Sequence, residues 1–183
     1  MNNLPNQLTI ARMAVIPVIL ALILMSAQWA AWIALVLFVA AAITDALDGW
    51  LARKRAQVSS FGRVMDVIAD KLLVSAVILV LVNTRTIAGP TIVPAIIILL
   101  REVAVSGLRE FLAEIKISVP VSKLAKWKTM SQFFALSFLI IGAYAPQQIP
   151  ALFIGTVLLW IAGALTLITG WDYLRANLDH LEY

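Results

Sequence analysis

Six apolar runs dominate this chain and constrain its fold more than any other feature. They cover residues 8–26, 30–51, 61–82, 91–105, 130–145 and 150–173. Hydrophobic residues make up 62% of the 183 residues and charged residues 13%, whereas roughly a quarter of a soluble domain is charged. Since one helical span needs about 20 apolar residues, we predict an all-α integral membrane fold. It has six transmembrane helices and forms a single domain over residues 1–183.

Basic residues concentrate in two of the connections between these runs. The second connection contains Arg53, Lys54, Arg55 and Arg63, and the fourth, taken broadly as 101–128, contains Arg101, Arg109, Lys116, Lys123, Lys126 and Lys128. Because positively charged loops stay on the cytoplasmic side of a membrane, we predict that both termini and these two connections face the cytoplasm. The net charge of +4 then indicates contact with anionic membrane lipids and no nucleic-acid partner.

The acidic residues are few and unevenly placed. Four of the ten lie close together, as the pairs Asp45 with Asp48 and Asp66 with Asp70. Spacings of three and four residues place each pair on one helical face, and the short connection makes the two helices antiparallel neighbours whose faces can meet. A carboxylate at the centre of a membrane helix costs about 2.5–3.5 kcal/mol. This cost points to function, although helix capping and pairing with Arg53 or Arg63 remain the alternative.

The type of side chain in this cluster selects the chemistry. The chain has no cysteine, and its single histidine, His180, lies in the polar C-terminal segment, so a thiol nucleophile, a histidine base and a zinc site are disfavoured. All-oxygen ligation suits hard divalent ions such as Mg²⁺ or Mn²⁺. Four carboxylates can hold two such ions about 3.5–4 Å apart, as in phosphoryl displacement.

The residues between the two aspartate pairs fit a phosphate ligand. Gly49 lets a bulky anion approach the backbone, Ala52 keeps the same face open, and Arg53 offers a planar fork to phosphate. Gly62, on the neighbouring helix that faces these residues, leaves a gap between the side chains on its two sides. Each glycine, taken singly, is also compatible with simple helix packing.

Together these residues form a recognisable signature. It reads Asp45-Ala46-Leu47-Asp48-Gly49-Trp50-Leu51-Ala52-Arg53, eight residues, Gly62, three residues, Asp66, three residues and Asp70. This pattern resembles the signature of the CDP-alcohol phosphotransferase family at every specified position and spacing. The resemblance implies a dimeric six-helix membrane enzyme with a polar cavity open to the cytoplasm. Such an enzyme transfers a phosphatidyl-type group from a CDP-linked lipid to an alcohol and releases CMP.

The resemblance also implies roles for individual residues. Asp45 and Asp66 would bridge two metal ions, Asp48 and Asp70 would each complete one ion site, and Asp70 would also be the general base. The residues that would bind the CDP-lipid are Gly49, Ala52, Arg53, Ser59 and Gly62. Within the family's entry segment, residues 5–12, Asn6 and Thr9 are expected to approach the nucleotide, with capping of the helix start as the open alternative.

Three further segments bear on the acceptor. They are Asp70-Lys71-Leu72-Leu73, residues 101–110 and residues 123–129, and all resemble the bacterial phosphatidylglycerophosphate synthase branch. That branch uses CDP-diacylglycerol and sn-glycerol 3-phosphate in the bacterial inner membrane. A phosphate monoester needs charge-assisted donors, for which we predict Arg101, Arg109, Lys126 and Lys128. Topology and contact with lipid headgroups remain the alternative for these cations.

Other interpretations stay open at this point. A cardiolipin synthase of the same family, with phosphatidylglycerol as acceptor, is the nearest, and a cation transporter with intramembrane carboxylates is a remote one. In the last apolar run Gly155, Gly163 and Gly170 allow helices to approach closely, either between two subunits or within one chain.

Overall fold

A computed structural model describes residues 4–55, 60–115, 117 and 123–177, without the side chains of residues 4–9, 45–55, 60–64, 66–67 and 123. The helices in these ranges are α1 Leu4–Leu24, α2 Gln28–Arg55, α3 Ser60–Asn83, α4 Ile92–Glu114, α5 Lys123–Ile141 and α6 Ala151–Arg175. Single 3₁₀ turns cover Gly89–Thr91 and Gly142–Tyr144. No strand occurs in the described part of the chain, so the predicted all-α fold of six helices is confirmed.

The outer surface is that of a membrane protein. Among the described residues, Gly89–Glu114 and Ala151–Arg175 are long and apolar enough to cross a bilayer, and shorter apolar stretches occupy Ile10–Leu24 and Gln28–Thr44. Large apolar side chains point outward, including Val103 at 75% exposure and Phe153 at 71%. Large exposed apolar side chains on so many positions are consistent with a surface that faces lipid. How many of the six helices span the membrane stays a prediction.

Two predicted boundaries are wrong, and both errors have the same cause. Helix α2 covers Gln28–Arg55, so the basic triplet is helical and not a loop. Likewise α4 continues to Glu114 and α5 includes Lys123–Ile141, so helices extend into both ends of the predicted fourth connection, residues 101–128. Arginine, lysine and glutamate are good helix formers, so a helix can continue where an apolar run stops.

The chain divides into two compact units. The first comprises Met1–Ile87 and Ser137–Leu152, and in it α1 packs against both α2 and α3. Its core includes Ile19, Phe38 and Val77, all fully buried. Because α1 contacts the helix before and the helix after the short second connection, it holds both helices that carry the signature.

The second unit comprises Ala88–Leu136 and Phe153–Tyr183. A Cβ on Gly163 would lie 2.7 Å from Cβ of Pro94, and one on Gly170 would lie 3.0 Å from Cγ of Arg101. The partners advance in the same direction along both helices, so α4 and α6 run parallel with glycine at both points of close approach. Intramolecular packing is therefore confirmed for Gly163 and Gly170. The division falls within α5 and α6, and the single domain over residues 1–183 stays a prediction.

Candidate active site

The signature carboxylates all lie on helices, as predicted. Asp45 and Asp48 belong to α2, and Asp66 and Asp70 belong to α3, so each pair shares a helical face. Asp70 is half-buried, between the buried residues Ala69 and Leu73. The side chains of Asp45, Asp48 and Asp66 lie outside the described part of the structure.

These four carboxylates have the donor chemistry of a hard-cation site. Oxygen ligands without sulfur or imidazole suit Mg²⁺ or Mn²⁺, and the helical positions of the two pairs agree with a shared site. Among the side chains that the structure describes, no group of three acidic, histidine or cysteine residues could hold a metal. The side chains of Asp45, Asp48 and Asp66 are not among those described, so the metal site stays a prediction.

The predicted CDP-lipid residues surround the same connection. Gly49, Ala52 and Arg53 lie in the last turns of α2, and Gly62 lies in the first turn of α3. Ser59 lies outside the described residues, as do the side chains of the others. Asn6 and Thr9 are on α1, which begins at Leu4. Thr9 is therefore in the second turn of the helix, beyond a capping position, whereas Asn6 is still in the first.

A buried arginine next to the signature was not singled out by the sequence reasoning. Arg12 on α1 is only 3% exposed and lines a cavity of about 160 Å³ together with Leu37, Ala41 and Thr44 of α2. Thr44 directly precedes Asp45 in α2. An arginine inside an apolar helix marks function by default, and this signal was present in the first apolar run.

Two of the predicted acceptor-binding cations share one carboxylate in the second unit. Nη1 of Arg101 lies 3.5 Å from Oε1 of Glu102, and Nζ of Lys128 donates to the same oxygen. Lys128 is only 4% exposed. Buried charges require such pairing because desolvation is costly. Glu102 therefore joins α4 to α5 and leaves one net positive charge on the three residues.

The other two predicted cations are placed differently. The guanidinium of Arg109 lies 5.9 Å from the ring centroid of Tyr173 on α6, a cation–π distance, and Arg109 is otherwise exposed. Lys126 is exposed on α5. The structure thus brings Arg101 and Lys128 together around Glu102, and it places Arg109 against α6.

Polar atoms without partners collect on the facing surfaces of α4 and α6. Nε of Arg101, Oγ1 of Thr166 and the hydroxyl of Tyr173 are buried and have no hydrogen-bond partner among the described residues. A buried polar group left unsatisfied costs about 1–3 kcal/mol, and such groups call for a water or a ligand. Thr166 and Tyr173 were missed from the sequence. Their spacing with Thr169 marks a polar stripe on the largely apolar α6 and could have revealed them.

The comparisons with known proteins bear directly on the signature. The sequence profile of CDP-alcohol phosphatidyltransferases matches residues 2–168, a range that contains every signature position and the basic residues of α4 and α5. The chain belongs to the CDP-alcohol phosphatidyltransferase family. The resemblance found in the sequence is therefore confirmed.

Several known proteins are similar to this chain over nearly its whole length. A Rickettsia bellii protein named CDP-diacylglycerol–glycerol-3-phosphate 3-phosphatidyltransferase is 50% identical over 174 residues, covering 95% of this chain and 94% of that protein. A Bacillus subtilis protein of the same name is 36% identical over 194 residues, covering 100% and 98%. A rice protein named cardiolipin synthase (CMP-forming) is 37% identical over 187 residues, covering 94% of this chain and 56% of that protein.

Proposed function

We propose that this chain transfers the phosphatidyl group of CDP-diacylglycerol to sn-glycerol 3-phosphate, giving phosphatidylglycerophosphate and CMP. The observation that carries the proposal is the relative of that name at 50% identity over 95% of the chain. The intact signature on α2 and α3 and the basic residues of α4 and α5 agree with this reaction. The enzyme acts in the bacterial inner membrane as a homodimer, with both termini and the site on the cytoplasmic side.

The reaction is a direct displacement at phosphorus. Asp70 accepts the proton of the C1 hydroxyl of glycerol 3-phosphate, and that oxygen forms a bond to the lipid-side phosphorus of CDP-diacylglycerol. The bond from this phosphorus to the CMP oxygen breaks, and CMP leaves. Half-burial of Asp70 on α3 suits a general base, which must reach substrate and be shielded from bulk water.

The remaining signature residues position the donor. Asp45, Asp48 and Asp66 with Asp70 would hold two Mg²⁺ or Mn²⁺ ions, which when bound neutralise charge on the diphosphate. The donor is bound by Gly49, Ala52, Arg53, Ser59, Gly62, Asn6 and Thr9. Phosphoryl transfer depends chiefly on such positioning and charge neutralisation.

The acceptor phosphate is bound by Arg101, Arg109, Lys126 and Lys128. Arg101 and Lys128 surround one carboxylate, so their site retains a net positive charge. The unpartnered Nε of Arg101 and the hydroxyl of Tyr173 supply further donors that a phosphate monoester would satisfy.

A second acceptor has its own support. The rice relative named cardiolipin synthase (CMP-forming) is 37% identical over 94% of this chain. A chain with that activity would use the hydroxyl of phosphatidylglycerol in place of glycerol 3-phosphate. Neither the family profile nor these relatives favour a cation transporter.

One assay separates these possibilities. The full chain, purified in detergent, is given CDP-diacylglycerol and Mg²⁺ with glycerol 3-phosphate, phosphatidylglycerol, serine or inositol phosphate, and CMP release is measured. We expect release with glycerol 3-phosphate alone, and none after a chelator is added. Release driven by phosphatidylglycerol would favour the second acceptor, and folded protein that releases no CMP with any acceptor would contradict the proposal.

A further inference from the structure

A cavity lies in the first unit at the helix ends remote from the signature. Its volume is about 280 Å³, and it is lined by residues at the end of α1, the start of α2, the ends of α3 and α5, and the start of α6. We call it the turn cavity, and its polar lining consists of Ser26, Thr84, Arg85, Thr86 and Tyr144. The volume is close to the lower end for small-ligand sites, about 300 Å³.

The turn cavity is separate from the proposed active site. Helix α2 runs from Ala31 in the cavity to Asp45 in the signature, and α3 runs from Asp70 in the signature to Leu81 in the cavity. At 1.5 Å of rise per residue these paths are about 21 Å and about 17 Å long. The catalytic aspartates therefore cannot touch a ligand held at this end.

The charge of the lining selects an anion. Arg85 is the charged member, and none of the described residues that line the cavity is acidic. Hydroxyl groups complete the polar lining. Oγ1 of Thr84 lies 3.1 Å from Oγ1 of Thr86, and the Tyr144 hydroxyl donates to the carbonyl of Ser26. The hydroxyls of Ser26 and Tyr144 already donate to backbone carbonyls, so the donors available to phosphate oxygens are the guanidinium fork of Arg85 and the hydroxyl of Thr86. None of the described lining residues offers a carboxylate for a substrate ammonium.

Backbone conformation singles out the same residues. Ser26 with φ of 51° and Arg85 with φ of 58° are the non-glycine residues with positive φ in the described part of the chain, and Gly142 with φ of 22° directly precedes the lining residue Ala143. Ser26 and Arg85 follow the ends of α1 and α3, where glycine is the usual residue. A polar side chain kept in this conformation costs stability, and such strain concentrates at functional sites.

The depth of the cavity fits a lipid phosphate. Trp29 and Trp32, in the first two turns of α2 beside the cavity, are exposed on the outer surface. Exposed tryptophans near the end of a membrane helix lie at the level of the lipid headgroups. The rest of the lining, including Ile23, Leu81 and Leu139, is apolar and suits the glycerol and the first acyl carbons.

From these observations we infer that the turn cavity binds the phosphodiester headgroup of an anionic membrane phospholipid, with Arg85 as its charged contact. The site is distinct from the one that would bind CDP-diacylglycerol, and it does not rest on the proposed transferase activity.

Native mass spectrometry of the full chain tests this inference. The protein in detergent is titrated with phosphatidylglycerol and, separately, with phosphatidylcholine, and bound lipids are counted for wild type, Arg85→Gln and Arg175→Gln. Arg175, in the last turn of α6, is the matched control because it loses the same charge far along the chain from the cavity. We expect Arg85→Gln to bind one phosphatidylglycerol roughly tenfold more weakly, with Arg175→Gln unchanged and phosphatidylcholine weaker throughout.

A second variant, a CMP-release control and a competition with inorganic phosphate complete the test. If Arg85→Gln does not fold, Thr86→Val removes a lining hydroxyl without changing shape and should weaken the same lipid adduct. Folded Arg85→Gln should still release CMP, so loss of transferase activity and loss of lipid binding are separate results. Equal phosphatidylglycerol binding by all variants would overturn the inference. Displacement of the Arg85-dependent lipid by millimolar inorganic phosphate would reassign the cavity to a free anion and overturn the lipid assignment.

Discussion

A Cβ atom on Gly170 would lie 3.0 Å from Cγ of Arg101. The glycine of α6 thus gives room to the aliphatic stem of the arginine that we place at the acceptor phosphate. Arg101 also pairs with Glu102, so neighbouring groups hold both its aliphatic stem and its guanidinium in place. The position of this charge is therefore set by α6 as much as by α4.

Gly170→Ala should impair use of the acceptor selectively. A contact of 3.0 Å is tighter than ordinary packing, so the Arg101 stem must shift by a few tenths of an ångström. We expect the KM for glycerol 3-phosphate to rise roughly three- to tenfold, with the KM for CDP-diacylglycerol unchanged. Gly107→Ala on α4 is the matched control because a Cβ there meets nothing within 4 Å. A KM change of the same size in both variants would contradict this explanation.

Glu102→Gln should destabilise the protein. The carboxylate accepts from Lys128, whose side chain is 5% exposed, and lies near Nη1 of Arg101. Removing one partner of a buried ion pair costs about 3–5 kcal/mol, and thermal unfolding in detergent will detect a loss of this size. Exposed Glu110 provides the control, and Glu110→Gln should stay within about 0.5 kcal/mol.

The same ion pair can be tested as a unit. Replacing Glu102 by Leu and Lys128 by Met together should cost less than the sum of the single changes, because the buried Lys128 charge is removed together with its carboxylate, although Arg101 still loses its pair with Glu102. Additive losses would show that the two side chains act independently.

Tyr173→Phe should weaken acceptor binding without destabilising the protein. The Tyr173 hydroxyl has no hydrogen-bond partner among the described residues, so its removal should not lower Tm, and the ring beneath Arg109 is kept. If the hydroxyl donates to the acceptor phosphate, the KM for glycerol 3-phosphate should rise by roughly tenfold. In contrast, Tyr144→Phe removes a bond to Ser26 and should lower Tm without changing this KM. An unaltered KM in Tyr173→Phe would remove Tyr173 from the acceptor site.

Asp70→Asn should bind the donor but fail to turn over. Loss of a general base lowers kcat by roughly 100-fold or more, whereas an amide of the same size leaves the fold intact and keeps one oxygen that could still ligate a metal ion. CMP release and CDP-diacylglycerol binding are measured on the same preparation, with exposed Asp172→Asn as the control. A fully active Asp70→Asn would exclude this residue as the base.

Much of the fold could be predicted from the sequence because lipid imposes a simple rule on helix length. Apolar runs located all six helices, including the α2 and α3 segments that carry the aspartates. The same rule ended the fourth run at residue 105, although α4 continues to Glu114. Polar residues beyond residue 105, such as Ser106 and Arg109, end the apolar run without interrupting the backbone hydrogen bonds of a helix.

The acceptor side of the candidate site was harder to predict, for a different reason. The sequence named Arg101 and Lys128 as cations, but their shared carboxylate requires α4 and α5 to pack together. Likewise the spacing of Gly163 and Gly170 could not distinguish a partner subunit from Pro94 and Arg101. Such pairings depend on tertiary contacts between helices far apart in the chain, which local patterns do not encode.

The two close approaches between α4 and α6 also bear on attempts to redesign the enzyme. Gly163 with Pro94 and Gly170 with Arg101 fix both the rotation and the height of one helix against the other. Libraries aimed at a new acceptor alcohol should therefore keep both glycines constant and vary Thr166, Thr169 and Tyr173 between and beyond them. Those positions can change the polarity of the surface that α6 presents beside Arg101 while the spacing of the helix backbones is preserved.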